Sequence, residues 1–280
     1  MSVTLFISLL LLASIGAGFL GALTGLGGGV VLIPVMVLLF GVDLKYAVGA
    51  SLIAVIATSS GAAAAFVREG FTNVRIGVVL EVATVIGAVL GATIAMYLSR
   101  EFIAGLFVLV LFWSAWSTLR PPVPHGPDMT PDAWSSRLGL DGTYPGPEGE
   151  RAYRVHRVPA ALAVMLGAGV LSAIVGIGSG IVKVLAMDRL MRLPFKVSTT
   201  TSNFMIGVTA AASAGVYFQR GQIEPALAGP VAVGALAGSV LGARVLPRVR
   251  TLWLRRVFAG LVVLAGVELL RRLWTGGFAA

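Results

Sequence analysis

A glycine-rich stretch occurs twice in this chain, at matching places in two apolar halves. The first copy reads Gly16-Ala-Gly-Phe-Leu-Gly-Ala-Leu-Thr-Gly25-Leu-Gly27-Gly28-Gly29-Val-Val31. The second reads Gly167-Ala-Gly-Val-Leu-Ser-Ala-Ile-Val-Gly176-Ile-Gly178-Ser179-Gly180-Ile-Val182. The halves align without a gap. Lys45 falls on Lys196, Ser51 on Ser202, Thr58 on Thr209, Gly70 on Gly221, and Gly87 and Gly91 on Gly238 and Gly242. Agreement over that length is the mark of duplication, so the fold must be one that two copies of a single unit can build together. Clustered glycines also interrupt a helix, because each adds backbone freedom and exposes peptide groups.

Composition sets the solvent. Of 280 residues, 57% are hydrophobic and 12% charged, and mean hydropathy is +0.94. Soluble domains carry about 25% charged residues. Apolar segments run over about 3–24, 30–41, 45–66, 74–98 and 102–119, and again over 158–175, 181–191, 195–218, 223–246 and 252–274. Most are long enough to cross a bilayer. The expected fold is therefore an all-α integral membrane protein of two repeats. The first spans 1–119, a polar linker spans 120–157, and the second repeat spans 158–280. The first apolar segment lacks a basic start and runs into the glycine stretch, so it is not expected to be a cleaved leader.

Segments 30–41 and 181–191 are too short to span comfortably. Each returns the chain to the side it came from, as a tight span or as a re-entrant hairpin, and three full spans follow. Each half then crosses an odd net number of times, and the second is expected to be inverted. Charge agrees. One side would hold Arg68, Arg75, Arg120, Arg137, Arg151, Arg154, Arg157, Arg189, Arg192, Lys196, Arg244, Arg248, Arg250, Arg255 and Arg256, leaving Lys45, Arg100, Arg220, Arg271 and Arg272 opposite. The positive-inside rule makes the richer side cytoplasmic, with the linker there and both termini outside, in the plasma membrane. Trp113, Trp116, Trp253 and Trp274 lie near segment ends, where an aromatic belt belongs. Within the linker, residues 138–155 could pair as a hairpin across Tyr144-Pro-Gly-Pro-Glu-Gly149 or serve as a tether.

Several chemistries drop out. With no cysteine and only His125 and His156, thiolate and multi-histidine metal sites are not expected. No cofactor is indicated, and no His/Asp/Cys constellation suggests an enzyme. The formal charge of +9 sits at segment ends, where topology accounts for it, so no nucleic-acid partner is expected. A homo-oligomer is compatible with the sequence. The glycine stretches lack the sixth-position glycine of a dinucleotide fingerprint, which is Val30 or Ile181 here, and lack the Lys-Ser/Thr of a P-loop.

In a membrane the better reading is a helix break that frees backbone N–H groups, tolerated only in protein or beside a water-filled cavity. Helices starting after residues 27–29 and 178–180 would direct donors and positive dipole ends at an anion. The alternative is close helix packing alone. Gly27, Gly28, Gly29, Gly178, Ser179 and Gly180 are the candidate backbone site. Lys183, whose counterpart is Leu32, would attract the anion or pair with Asp188 or Glu81. Ser51, Thr201, Ser202 and Asn203 are candidate side-chain donors from polar runs otherwise explained by interhelical hydrogen bonding. Glu81, opposite Ala232 in the alignment, is a proton carrier or the partner of Lys183. Gly87-Ala-Val-Leu-Gly91 and Gly238-Ser-Val-Leu-Gly242 read as helix-contact motifs.

At Gly25-Leu-Gly-Gly-Gly29 with Pro34, Gly176-Ile-Gly-Ser-Gly180, Lys196-Val-Ser-Thr-Thr-Thr-Ser-Asn-Phe-Met205 and Gly238-Ser-Val-Leu-Gly-Ala-Arg-Val-Leu246, the chain resembles the TauE/SafE-type sulfite exporters of bacteria and archaea. Ser179 replaces a glycine of the family pattern, and Leu185 stands where proline is common. The resemblance implies movement of small sulfur-containing anions such as sulfite, organosulfonates or thiosulfate; with the two inverted halves, the expectation is a secondary transporter, an exporter, working by alternating access around a central anion site. An anion channel, or a carrier of another small organic anion, is the alternative.

Overall fold

The structure is a computed structural model that describes residues 2–24, 27–68, 70–119, 132–146, 149–245 and 251–275. Gly25 of the first glycine stretch lies outside them, as do Arg120, His125, Arg248 and Arg250.

The first half comprises α1 (Val3–Thr24), α2 (Gly29–Leu38), α3 (Leu44–Arg68), α4 (Val74–Ala95) and α5 (Arg100–Leu119). The linker holds α6 (Ala133–Leu138), β1 (Gly142–Gly146) and β2 (Gly149–Tyr153). The second half comprises α7 (Val158–Val175), α8 (Gly180–Leu185, continuing through a π turn at Ala186–Leu190), α9 (Phe195–Gln219), α10 (Pro225–Val245) and α11 (Thr251–Trp274). Among the described residues, six helices are long and apolar enough to cross a membrane: α1, α4, α7 and α10, and within α3 and α5 the stretches Leu44–Ala64 and Arg100–Ser117. The 25-residue α9 is long enough but carries the Ser/Thr/Asn run, and it is mostly buried.

Glycine sets the helix contacts, and it does so identically in both halves. A methyl on Gly87 of α4 would strike the Leu166 carbonyl of α7; one on Gly238 of α10 would strike the Ile15 carbonyl of α1. Ile15 and Leu166 are equivalent in the repeat. Gly91 meets Val170 as Gly242 meets Phe19, and Gly169 meets Thr84 as Gly18 meets Ala235. Each pair thus runs in the same sense, α1 beside α10 and α7 beside α4. Side-chain bulk at these positions would cost dispersion contacts that helix association in lipid depends on. Helix α3 packs on α10, and α9 on α4, while α3 and α9 cross at the centre.

The linker is ordered where described. Strands β1 and β2 pair antiparallel, so of the two readings of residues 138–155 the hairpin is the one present. Leu140, Tyr153 and Val155 are buried against Met187, Met191, Leu193 and Val197 near the starts of α4, α7 and α9. Asn73 caps α4, accepting from Ile76 N–H, and its amide donates to Leu140 O at 3.2 Å and Tyr153 Oη at 2.7 Å. Burial raises the Tyr153 phenol above its ordinary value, partly opposed by that Asn73 hydrogen bond.

Candidate functional site

Both glycine stretches break the helix. Helix α7 ends at Gly176 in the left-handed region (φ 75°), followed by Gly178 (φ 76°) and Ser179 (φ 49°) before α8 begins. In the first copy Gly27 has φ 77° and α2 begins at Gly29. Only glycine adopts these dihedrals at little cost, which is why a serine at 179 is strained. The two breaks face each other. Gly27 and Gly178 both lie against Val55 of α3 and Ile206 of α9, residues that are themselves equivalent in the repeat. At the far end of α2, Arg272 of α11 donates to the carbonyls of Val37 (3.2 Å) and Leu38 (2.9 Å), placing a cation at that helix C-terminus.

Every candidate residue within the described segments is buried. Ser51 Oγ donates to Gly176 O at 2.7 Å, tying α3 to the second break. Ser202 Oγ donates to Gly180 O at 3.2 Å. Gly28 lies close to Thr58 Oγ1, and Gly29 close to Ser51 Oγ and Gly176 O. These groups therefore share one layer. Thr201 points elsewhere: its hydroxyl accepts from Asn73 N–H at 3.1 Å beside the start of α4. Adjacent helix residues sit about 100° apart, so Thr201 and Ser202 cannot both face the breaks.

Among the described residues, three donors of α7, α9 and the second break have no protein partner. Ser172 Oγ, Ser179 Oγ and Asn203 Nδ2 are buried with no hydrogen bond. Ser172 and Ser179 also line one small cavity beside the second break, walled by Val30, Val110, Trp113 and Leu171. Buried polar groups are nearly always satisfied, and an orphan calls for an explanation. The backbone of Asn203 is engaged: its carbonyl accepts from Ser59 Oγ of α3, which in turn accepts from Gly207 N–H at 3.1 Å. A serine from one half thus inserts at a rung of α9 in the other.

Lys183, one turn into α8, is fully buried. Its ammonium lies 3.3 Å from Glu81 Oε2 of α4 and donates to Thr209 Oγ1 of α9. The Thr209 hydroxyl donates to Glu81 Oε1 at 2.5 Å. Of the two carboxylates that the sequence offered as the partner of Lys183, Glu81 is the one used. Thr209 is the member that sequence reasoning passed over. Its pairing with Thr58 and its spacing of two helical turns from Ser202 were the available signals. Among the described residues no group of three or more His, Asp or Glu side chains could hold a metal.

Multiple spans, two broken helices meeting at the centre and a buried polar layer around the breaks are the construction of a polytopic membrane transporter. The family model for the sulfite exporters TauE/SafE matches residues 10–269. The chain belongs to that family. It is 25% identical to a probable membrane transporter protein, YunE, of Bacillus subtilis (strain 168), over 95% of this chain and 97% of that one. It is 27% identical to a second from the same organism, YdhB (93% and 99%), and 25% identical to a probable membrane transporter protein of Xylella fastidiosa (strain 9a5c) (94% and 96%). No solved structure matches. The protein is a membrane transporter.

Proposed function

We propose that the protein carries small sulfur-containing anions, such as sulfite, organosulfonates or thiosulfate, by alternating access around the paired helix breaks. The carrying observation is the pair of buried, unpartnered hydroxyls of Ser172 and Ser179, two residues that line a small cavity at the second break. An oxyanion accepts hydrogen bonds on every oxygen, and donors left open in a dry site are what binds it. The Asn203 amide adds a third open donor, and the backbone at residues 27–29 and 178–180 supplies the helix starts. Family membership supports the sulfur chemistry.

The exchanged packing of α1 on α10 and α7 on α4 supports an inverted pair of repeats. The charge bias of the loops supports a cytoplasmic linker with both termini outside the plasma membrane.

Purified protein should bind sulfite, thiosulfate or methanesulfonate in calorimetry and should not bind chloride. Ser179→Ala and Asn203→Leu should each weaken that binding about tenfold or more, the worth of one hydrogen bond to a charged group. Parent-like affinity in both variants, or no binding of any sulfur anion, would sink the assignment. Counterflow-stimulated uptake in proteoliposomes separates a carrier from a channel.

A further inference from the structure

The Lys183–Glu81–Thr209 cluster is a buried ion pair in a scaffold that does not need one. Its three positions recur in the other half as Leu32, Ala232 and Thr58. There Leu32 is fully buried and Thr58 bonds within its own helix, to Ala54 O. The same helix contacts are thus made by apolar residues on one side and by opposite charges on the other. Taking two charges out of water costs more than an apolar pair of similar volume, so packing does not explain their presence. An intramembrane ion pair of this kind marks an ion or proton pathway.

Its surroundings isolate it. Helix α7, packed on α4, carries no ionisable side chain, and α9 presents Thr209 to the pair. Arg75, six residues before Glu81, is exposed and donates to Gly139 O. Lys196, at the start of α9, lies over the Phe71 ring. Asp188 is buried in the π turn, five residues beyond Lys183 and about 140° around a regular helix from it. Among the described residues, Lys183 is the ionic partner of Glu81. The pair is also close to the proposed binding layer, since Lys183 N–H donates to Ser179 O at 3.1 Å.

We propose that the pair is an exchange site coupling anion movement to a proton. The proposal rests on the anion-site reading above. At rest Glu81 neutralises Lys183. An entering anion takes the place of Glu81 at the ammonium, and the released carboxylate accepts one proton from water on the side that is open. The charge balances: carboxylate, ammonium, anion and proton become carboxylic acid and an ammonium–anion pair, with no net change. Thr209, hydrogen-bonded to both, hands over from one arrangement to the other, its hydroxyl turning from the carboxylate toward the anion. The cargo class is a singly charged acid anion moving with one proton in the same direction. A pH gradient then drives transport and the membrane potential does not.

The test uses the full-length chain in proteoliposomes with methanesulfonate, which stays a monoanion at every pH used, so any proton must ride on the protein. Sulfite runs in parallel. The parent should take up about one proton per anion. It should accumulate methanesulfonate about tenfold per unit of imposed pH gradient, with no response to a valinomycin-set potential. Glu81→Gln should still exchange anion for anion in counterflow but lose gradient-driven accumulation and proton uptake. The double variant K183L/E81A copies the residues of the other half, so it should fold as a monodisperse species and lose both. Proton-coupled uptake persisting in either variant, or parent uptake that follows the potential and ignores the pH gradient, overturns the coupling while leaving the anion site standing. If neither anion is carried by the parent, the anion site itself fails and the coupling falls with it.

Discussion

Replacing Gly238 by alanine tests whether close backbone contact holds the bundle. The added methyl would sit 2.8 Å from the Ile15 carbonyl carbon and 2.8 Å from the Phe19 nitrogen, nearer still to the Ile15 oxygen; ordinary contact is 3.4–4 Å. Both obstacles are backbone, so they cannot rotate away, and α1 and α10 must part by more than half an ångström. A gap of about 0.5–1 Å forfeits a quarter to a half of each dispersion contact, and overpacking of this kind costs about 1–3 kcal/mol. Gly87→Ala should cost the same, because it meets Leu166 and Val170, the repeat equivalents of Ile15 and Phe19. Gly215, also in a helix, has nothing within 4 Å of an added methyl. Gly215→Ala should therefore gain about 1 kcal/mol of helix propensity. At about 2–4 °C per kcal/mol, thermal unfolding in detergent should place Gly238→Ala and Gly87→Ala about 2–12 °C below the parent and Gly215→Ala slightly above it. The reasoning is refuted if the two seam variants melt with the parent, or differ from each other as much as from Gly215→Ala.

Two further outcomes follow from the buried polar groups. Lys183→Leu and Glu81→Ala, taken singly, each strand an unpaired charge and should lose about 3–5 kcal/mol, whereas the double variant should return to parent stability or exceed it; a thermal-melt cycle giving additive losses would show that the charges hold the fold. Tyr153→Phe removes the acceptor of the Asn73 amide at 2.7 Å and should cost about 1 kcal/mol. Because the folded phenol titrates above the unfolded one, its contribution is complete below about pH 10 and is lost as the pH rises through the folded value, so Tyr153→Phe should melt with a shallower alkaline slope than the parent.

The helices were readable because period and punctuation agree in this sequence. Segment 158–175 is α7 as it stands, and 30–41 and 181–191 are α2 and α8 with its π turn, shifted by a residue or three at the ends. Gapless alignment of the halves then located the breaks. What the sequence could not supply was which helices touch. Asp188 lies near Lys183 along the chain, yet Glu81, 102 residues away, is its partner because α4 lies alongside α9. The direction of the Ser/Thr/Asn run was equally hidden. Its helical phase relative to the breaks depends on how α9 crosses α3, so Ser202 and Thr201 face different neighbours. The open donors of Ser172 and Ser179 belong to the same category, since satisfaction is a property of packed neighbours.

Where the two halves agree and where they differ answer separate questions. Gly27 and Gly178, or Gly87 and Gly238, recur because backbone or core side chains crowd the position in either half. Duplication preserves what geometry forbids changing. Chemistry is free to diverge where a side chain enters space, and five of the buried disagreements bear on the proposed site and the charge pair: Ser172 against Gly21, Ser179 against Gly28, Lys183 against Leu32, Asn203 against Leu52, and Glu81 against Ala232. Four of the five polar members lie in the second half, around one break. The fifth, Glu81, comes from the first half and reaches the others only because α4 packs across the boundary onto α7 and α9. The counter-ion that Lys183 uses therefore comes from the other half of the chain. The charge pair thus ties α8 of the second half to α4 of the first, and removing either partner leaves a buried charge in the other half.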